Sequence, residues 1–180
     1  LNTSMKSVGE TMAIGRTFKE ALQKAVRSLE IGRYSLGSER FFSPEKGLDD
    51  HELDHGLIHP NSRRLFQIYE AFSRGMTIAR VHELTMIDPW FLHQIREIFL
   101  VEDELKALAE KSAAPSSWGK DIWTKAKQYG FSDVRIGQWF NSSEKDIRIA
   151  RHSKGVKAVF KLVDTCAAEF EAFTPYYYST

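Results

Sequence analysis

The apolar residues of this 180-residue chain recur every three or four positions, and capping or breaking residues interrupt the pattern at short intervals. A period of three to four residues predicts helices with one buried face. The interruptions limit each helix to a few turns, and no heptad persists long enough for a coiled coil. The chain is therefore predicted to be mainly α: a compact orthogonal bundle of about seven short helices, with short strand-like stubs at both termini.

Start signals locate these helices. Thr17 is a predicted N-cap, Glu20 completes a capping box, and Gly32 is predicted to end the first helix. Asp88 followed by Pro89 predicts a helix that runs to about residue 111, since Asp accepts from free amides and Pro suits the first helical position. The other predicted helices begin near Ser62, Thr77, Ile122, Ser132 and Ser143.

The remaining regions lack the helical period. Residues 34–61 are rich in Ser, Gly, Pro and acidic side chains, which predicts a surface loop. Residues 159–163 and 176–179 are predicted to form short β segments. The chain has no initiator Met and its last residues resemble a strand that stops abruptly, so we expect a piece of a longer protein. Residues 1–16 and 164–180 are then expected to be mobile, or to pair with another copy through exposed strand edges.

Composition excludes several classes of protein. The 25 Lys and Arg residues are balanced by 24 Asp and Glu residues, and a formal charge of +1 argues against a chain built to neutralise phosphates. One cysteine, Cys166, permits no intrachain disulfide. No apolar run approaches the ~20 residues of a membrane helix, so no membrane partner is predicted. The sequence contains no Gly-rich phosphate loop and no G-x-S-x-G motif.

The string HELDH, residues 51–55, matches the H-E-x-x-H pattern of zinc proteases. That chemistry needs two imidazoles one turn apart on a rigid helix, and a Glu that activates a metal-bound water. Gly47, Gly56 and Pro60 flank the string and argue against such a helix. We therefore predict no metal site here, and a metal-dependent hydrolase is kept as an alternative function.

Residues 122–152 resemble a helix-turn-helix followed by a basic run. Glu144 and Asp146 interrupt this run, and the whole chain is close to neutral. No nucleic-acid partner is therefore predicted, and a basic helical nucleic-acid-binding module is the second alternative. The basic residues are Lys145, Arg148, Arg151, Lys154, Lys157 and Lys161.

Four residues are predicted to lie at an interface: Leu48, Trp90, Phe91 and Cys166. Trp90, Phe91 and Leu92 are consecutive at a helix start, and consecutive positions turn by about 100°, so they cannot all face one core. At least one of them is expected to contact another element or another chain. Leu48 stands alone among polar residues. Cys166 is followed by Ala167 and Ala168, which favours a packed thiol over a nucleophile.

Several stretches closely resemble the large subunits of carbamoyl-phosphate synthases, in order and spacing. Residues 5–18 resemble the segment that closes the first ATP-grasp half of that family, and residues 163–170 with 176–180 resemble the start of the second half. Between these two end segments, residues 87–95 and residues 130–133 also resemble the family. The resemblance covers essentially the whole chain.

The resemblance implies that this chain is the oligomerisation (connection) domain of such a large subunit. Residues 1–16 would end the first ATP-grasp half, residues 17–163 would form the helical domain, and residues 164–180 would lead into the second half. The family's nucleotide and magnesium sites lie in the ATP-grasp halves. No catalytic, cofactor-binding or metal-binding residue is therefore expected in this chain.

The resemblance also implies the chemistry of the parent enzyme. The parent would make carbamoyl phosphate, for pyrimidine and arginine biosynthesis, from bicarbonate, glutamine-derived ammonia and two ATP. Its implied cofactors are ATP, magnesium or manganese, and potassium. Implied partners are a second copy, the flanking ATP-grasp halves and a glutaminase subunit or domain. A cytoplasmic location is implied for a bacterial protein, and the resemblance is compatible with an organellar one for a eukaryotic protein.

Overall fold

Helices dominate the computed structural model, which describes residues 10–37, 47–171, 173 and 175–180. The mainly α prediction is confirmed, with eight α-helices in the described ranges rather than about seven. They are α1 (Phe18–Ser28), α2 (Asp50–Ile58), α3 (Arg64–Ser73), α4 (Ile78–Thr85), α5 (Pro89–Glu110), α6 (Lys120–Gln128), α7 (Asp133–Phe140) and α8 (Glu144–Ser153). A 3₁₀ turn, Pro115–Ser117, precedes α6. None of these helices is long and apolar enough to cross a membrane.

The predicted capping residues begin their helices. Asp88 Oδ1 accepts a hydrogen bond from Trp90 N–H at 2.8 Å, and Pro89 occupies the first turn of α5. Thr17 Oγ1 accepts from Glu20 N–H at 3.2 Å, as predicted. In a capping box the Glu20 carboxylate would accept from the N–H of Thr17 itself. Here it accepts instead from the N–H of Arg16, one residue before the cap. Equivalent side-chain caps begin α4, α7 and α8 at Thr77, Ser132 and Ser143.

Helix α1 ends earlier than predicted. Ser28 is its last residue, and Glu30 takes a left-handed backbone with φ of 53°, four residues after Val26, the last buried position of α1. The helix therefore ends before Gly32, the residue that was predicted to end it.

The long helix α5 forms the centre of the core, because α1, α3, α4 and α7 all pack against it. Its inward positions follow the three-and-four spacing of one helical face. They are Leu92, Ile95, Ile98, Val101, Leu105 and Ala109.

Helix α2 lies inside the region predicted to be a loop, and that prediction is wrong for residues 50–58. A capping box begins the helix: Glu52 N–H donates to Asp49 Oδ1 at 2.8 Å, and Asp49 N–H donates to Glu52 Oε2 at 3.0 Å. Leu53 is buried on its inner face, one turn before Leu57. Gly56 lets α2 approach α3, since a Cβ there would lie 2.2 Å from Gln67 Nε2.

The two described strands, β1 (Phe160–Leu162) and β2 (Tyr177–Ser179), pair with each other in an antiparallel ribbon. Lys161 lies opposite Tyr178. Strand β2 lies in residues 164–180 and pairs with β1 of the same chain. Mobility of residues 164–180, or their pairing with another copy, stays a prediction. Residues 10–16 contain no strand, and residues 1–9 lie outside the described ranges.

Candidate functional site

An exposed aromatic cluster lies where the first turns of α1 and α5 meet. We define it as the half-buried Phe18 with the exposed Trp90 and Phe91. The ring centroid of Phe18 lies 5.5 Å from that of Trp90 and 5.3 Å from that of Phe91, and the rings meet edge to face. Trp90 is 53% exposed and Phe91 is 42% exposed. Large aromatic surface left open to solvent is typical of a contact site for another protein surface.

The sequence positions this cluster through the start of α5. The Asp88 cap fixes where the helix begins, and Leu92 then points into the core with 0% exposure. Each residue turns about 100° around the helix axis, so the two residues before Leu92 point away from the core. The prediction that these three residues cannot all face one core is confirmed.

Charged groups border the exposed aromatic cluster. Lys19, next to Phe18, forms an ion pair with Glu97 of α5. The ammonium of Lys19 also lies 4.5 Å from the ring centre of Tyr129. A hydrophobic centre with a polar border is the usual anatomy of a protein interface.

The other two predicted interface residues lie elsewhere. Leu48, just before α2, is half-buried and packs against the core. Cys166 is half-buried in a turn in which Asp164 accepts hydrogen bonds from the Cys166 and Ala168 amides. The structure thus brings Trp90 and Phe91 together and places Leu48 and Cys166 on separate segments. The interface role of all four residues stays a prediction.

The HELDH string lies on helix α2, so the argument that its flanks forbid a helix is wrong. His51 and His55 are exposed on that helix, and the His55 ring stacks on that of His59 with centroids 4.2 Å apart. Glu52 is engaged in the capping box with Asp49. Within the described ranges, no group of three or more His, Cys, Asp or Glu side chains could hold a metal ion.

The basic run is partly neutralised by ion pairs within the bundle. Arg148 pairs with Glu144 at 2.6 Å, and Arg151 Nε lies 2.9 Å from Asp133 Oδ2. Because these charges face carboxylates of α7 and α8, this surface is less basic than the sequence pattern alone indicates.

A buried carboxylate, Glu102, is a feature that the sequence analysis missed. Glu102 is 1% exposed on α5. Its Oε1 accepts from Arg135 Nε at 2.6 Å and from Ser35 Oγ at 3.0 Å, while Oε2 accepts from Tyr69 Oη at 2.8 Å. Burial and the adjacent carboxylate raise the pKa of Tyr69, so its hydroxyl stays a donor. This network joins α3, α5 and α7 to the segment after α1 and has a structural role.

A second buried carboxylate, Asp133, joins α6, α7 and α8. Lys127 Nζ lies 3.0 Å from Asp133 Oδ1, and Arg151 Nε contacts both carboxylate oxygens. Burial disfavours the charged form, but Lys127 and Arg151 outweigh it and hold the pKa of Asp133 below its usual value.

The depressed pKa of Asp133 predicts a specific loss of stability in acid. A carboxylate with a lowered folded-state pKa stabilises the fold above its unfolded-state pKa, and that contribution is lost as the pH falls through the folded-state pKa. The free energy of unfolding of the wild type should therefore exceed that of Asp133→Asn at neutral pH, and the gap should narrow below the ordinary pKa of 3.8. Urea titrations between about pH 6 and pH 2 measure this difference in the free energy of unfolding.

The control for this pH series is Asp103→Asn, which changes an exposed carboxylate of α5. The free energy of unfolding of this variant should differ little from that of the wild type at every pH in the series. A gap between the wild type and Asp133→Asn that stays constant across the series would contradict the prediction.

These features define a class: a helical bundle domain, with paired buried charges inside and an exposed aromatic cluster outside. Comparison with known proteins identifies the family. A family model described as "Carbamoyl-phosphate synthetase large chain, oligomerisation domain" matches residues 10–155. The chain belongs to this family, as its sequence motifs predicted.

Relatives that match the chain along its whole length carry the corresponding name. The carbamoyl phosphate synthase large chain of Archaeoglobus fulgidus is 49% identical over 180 residues, which is 100% of this chain and 16% of the relative. The large chain of Rhodopirellula baltica is 47% identical over 182 residues, which is 100% of this chain and 16% of that relative. The "large chain, N-terminal section" of Aquifex aeolicus is 48% identical, with 30% of that protein covered. The chain thus spans a small part of these relatives.

Proposed function

We propose that this chain is the non-catalytic connector and self-association domain of a carbamoyl-phosphate synthase large chain. The exposed aromatic cluster is the observation that carries the proposed self-association, since its rings pack edge to face and an ion pair lies beside them. The family description supports an oligomerisation role for residues 10–155.

The parent's activity is part of this proposal. The full protein would make carbamoyl phosphate from bicarbonate, glutamine-derived ammonia and two ATP. ATP with magnesium or manganese, and potassium, would be bound in the flanking ATP-grasp halves, and a glutaminase subunit or domain would supply the ammonia. A bacterial or archaeal parent would work in the cytoplasm. The proposed boundaries are 1–16 for the end of the first half, 17–163 for the helical domain and 164–180 for the link to the second.

The bundle is suited to hold two flanking units in a fixed relative position. Helix α5 has 22 residues, which corresponds to about 33 Å at 1.5 Å per residue. Helices α1, α3, α4 and α7 pack against it, so the bundle forms one packed body. A rigid spacer fixes the geometry between two sites better than a flexible linker does.

Self-association through the exposed aromatic cluster is tested by replacing Trp90 and Phe91 with serine together. The double variant should dissociate at least about tenfold more readily than the wild type, because exposed aromatic anchors dominate interface energetics. Sedimentation velocity over a range of protein concentrations measures the monomer–dimer equilibrium. Circular dichroism should show unchanged helix content, since both side chains project out of the core.

The matched control is Leu100→Ser, which removes an exposed apolar side chain from another face of α5. It should leave the monomer–dimer equilibrium unchanged. Leu48→Asp tests the second predicted contact, and is expected to weaken both self-association and folding because Leu48 packs on the core. If the wild type stays monomeric at all concentrations, or the double variant dimerises like the wild type, the self-association surface is misassigned.

A further inference from the structure

The carboxylate of Glu20 on α1 contacts Arg16, four residues before it, and Thr180, 160 residues after it in the sequence. Its Oε2 accepts a hydrogen bond from Arg16 N–H at 2.9 Å and another from Thr180 Oγ1 at 3.0 Å. Glu20 is 6% exposed, although it lies in the first turn of a surface helix. The side chain therefore links the segment before the first helix to the segment after the last one.

Lys24, one turn further along α1, makes the same link with its ammonium group. Its Nζ donates to the carbonyl oxygen of Ile14 at 3.0 Å and to the carbonyl oxygen of Ser179. It also lies 2.7 Å from Glu20 Oε1. Each residue of this ion pair thus contacts both segments as well as its partner on α1.

The close approach of the first segment to α1 depends on Gly15. A Cβ at this position would lie 2.8 Å from the backbone nitrogen of Ala21 and 3.1 Å from Glu20 Cβ. A side chain there would push residues 10–16 away from the helix. The sequence thus permits the backbone contact that the ion pair then secures.

The second segment has little buried apolar surface to hold it. The residues of β1 are exposed along the whole strand, and in β2 Tyr178 is half-buried between two exposed neighbours. The Tyr178 ring lies 6.0 Å from Lys24 Nζ, so this strand turns one side chain toward α1. Because burial contributes little here, the polar contacts of Glu20 and Lys24 carry a large share of the attachment.

We propose that Glu20 and Lys24 form a clasp that fixes residues 10–16 and residues 176–180 to one side of α1, so that both segments move as one body. The clasp is a property of this chain alone. Its wider consequence rests on the proposed function: the two ATP-grasp halves would join the bundle through these segments, and the clasp would hold their attachment points together.

Hydrogen exchange of the 180-residue chain tests the clasp in Lys24→Met, which keeps the aliphatic stem and removes the ammonium. The amides of Val159, Val163 and Thr180, which bond across the ribbon, should exchange at least about tenfold faster than in the wild type. The amides of α5 should exchange at the wild-type rate. Glu20→Gln, which removes the charge with little change of shape, should show the same pattern more weakly.

A distance measurement provides a second readout. Spin labels at Met12 and Tyr176, both exposed, should give a narrow distance distribution in a Cys166→Ser background and a broad one when Lys24→Met is added. The control is Lys125→Met, which breaks an exposed ion pair between α6 and Glu104 of α5 and touches neither terminal segment. That variant should leave the ribbon exchange and the label distance unchanged.

Two results would overturn the clasp. In the first, the ribbon amides and the label distance stay at wild-type values in both clasp variants. In the second, exchange rises equally in the ribbon and in α5, which would make the pair a general stabiliser of the bundle. Neither readout depends on self-association or on ATP-grasp halves, so their failure is separate from failure of the proposed function.

Discussion

Replacing Glu102 with leucine is expected to lower the free energy of unfolding by about 3–5 kcal/mol, the cost of leaving a buried charge without its partner. Arg135 is 7% exposed, and its Nε donates to Glu102 at 2.6 Å. Ser35 and Tyr69 would lose their acceptor as well. Urea unfolding followed by tryptophan fluorescence measures the change.

Two further variants make this result specific to the buried network. Glu104→Leu removes a carboxylate that pairs with Lys125 at the surface of α5, and it should cost less than about 1 kcal/mol. Arg135→Met added to Glu102→Leu should recover part of the lost stability, because no unpaired charge then remains inside. Equal costs for Glu102→Leu and Glu104→Leu would show that the buried network contributes nothing beyond a surface pair.

Truncation of Leu92 to alanine is expected to cost about 2–5 kcal/mol, the range observed when a buried leucine leaves a cavity. Leu92 is fully buried at the start of α5, directly after the exposed aromatic cluster. Ile95→Ala should behave similarly, since Ile95 lies on the same face. Thermal or urea unfolding measures both changes.

Leu100→Ala is the matched control, because it makes the same chemical change on the same helix at an exposed position. It should alter the free energy of unfolding by less than about 1 kcal/mol. A negligible effect of Leu92→Ala would contradict the assignment of α5 as the centre of the core.

Local signals in the sequence predicted much of the fold. Asp88-Pro89 and the caps Thr17, Thr77 and Ser132 begin helices where they were predicted, because a cap is a short-range hydrogen bond between neighbours in the chain. The positions of β1 and β2 followed from residue type in the same way.

Features that depend on distant contacts could not be predicted from local signals. Helix α2 shows the helical period weakly, with Leu53 and Leu57 as its buried apolar residues, and it is secured by packing on α3. The pairing of the two strands with each other joins residues that lie about 15 positions or more apart in the sequence. For Glu102 a signal existed: it lies four residues after Ile98 and three before Leu105, on the apolar face of α5. Its partners come from three other segments.

The candidate site was predicted in part. Three large apolar residues in a row at a helix start indicated the exposed part of the aromatic cluster at Trp90 and Phe91. The contribution of Phe18 could not be foreseen, because its ring lies on α1 and meets α5 only in the folded chain.

The pairing of Glu102 with Arg135 has a consequence for how this domain can diverge. A substitution at only one of the two positions leaves the other charge unpaired inside the protein. Proteins with a single substitution would therefore be destabilised and seldom retained during evolution. Substitutions at the two positions are therefore expected to occur together, and related proteins should carry either both charged residues or neither.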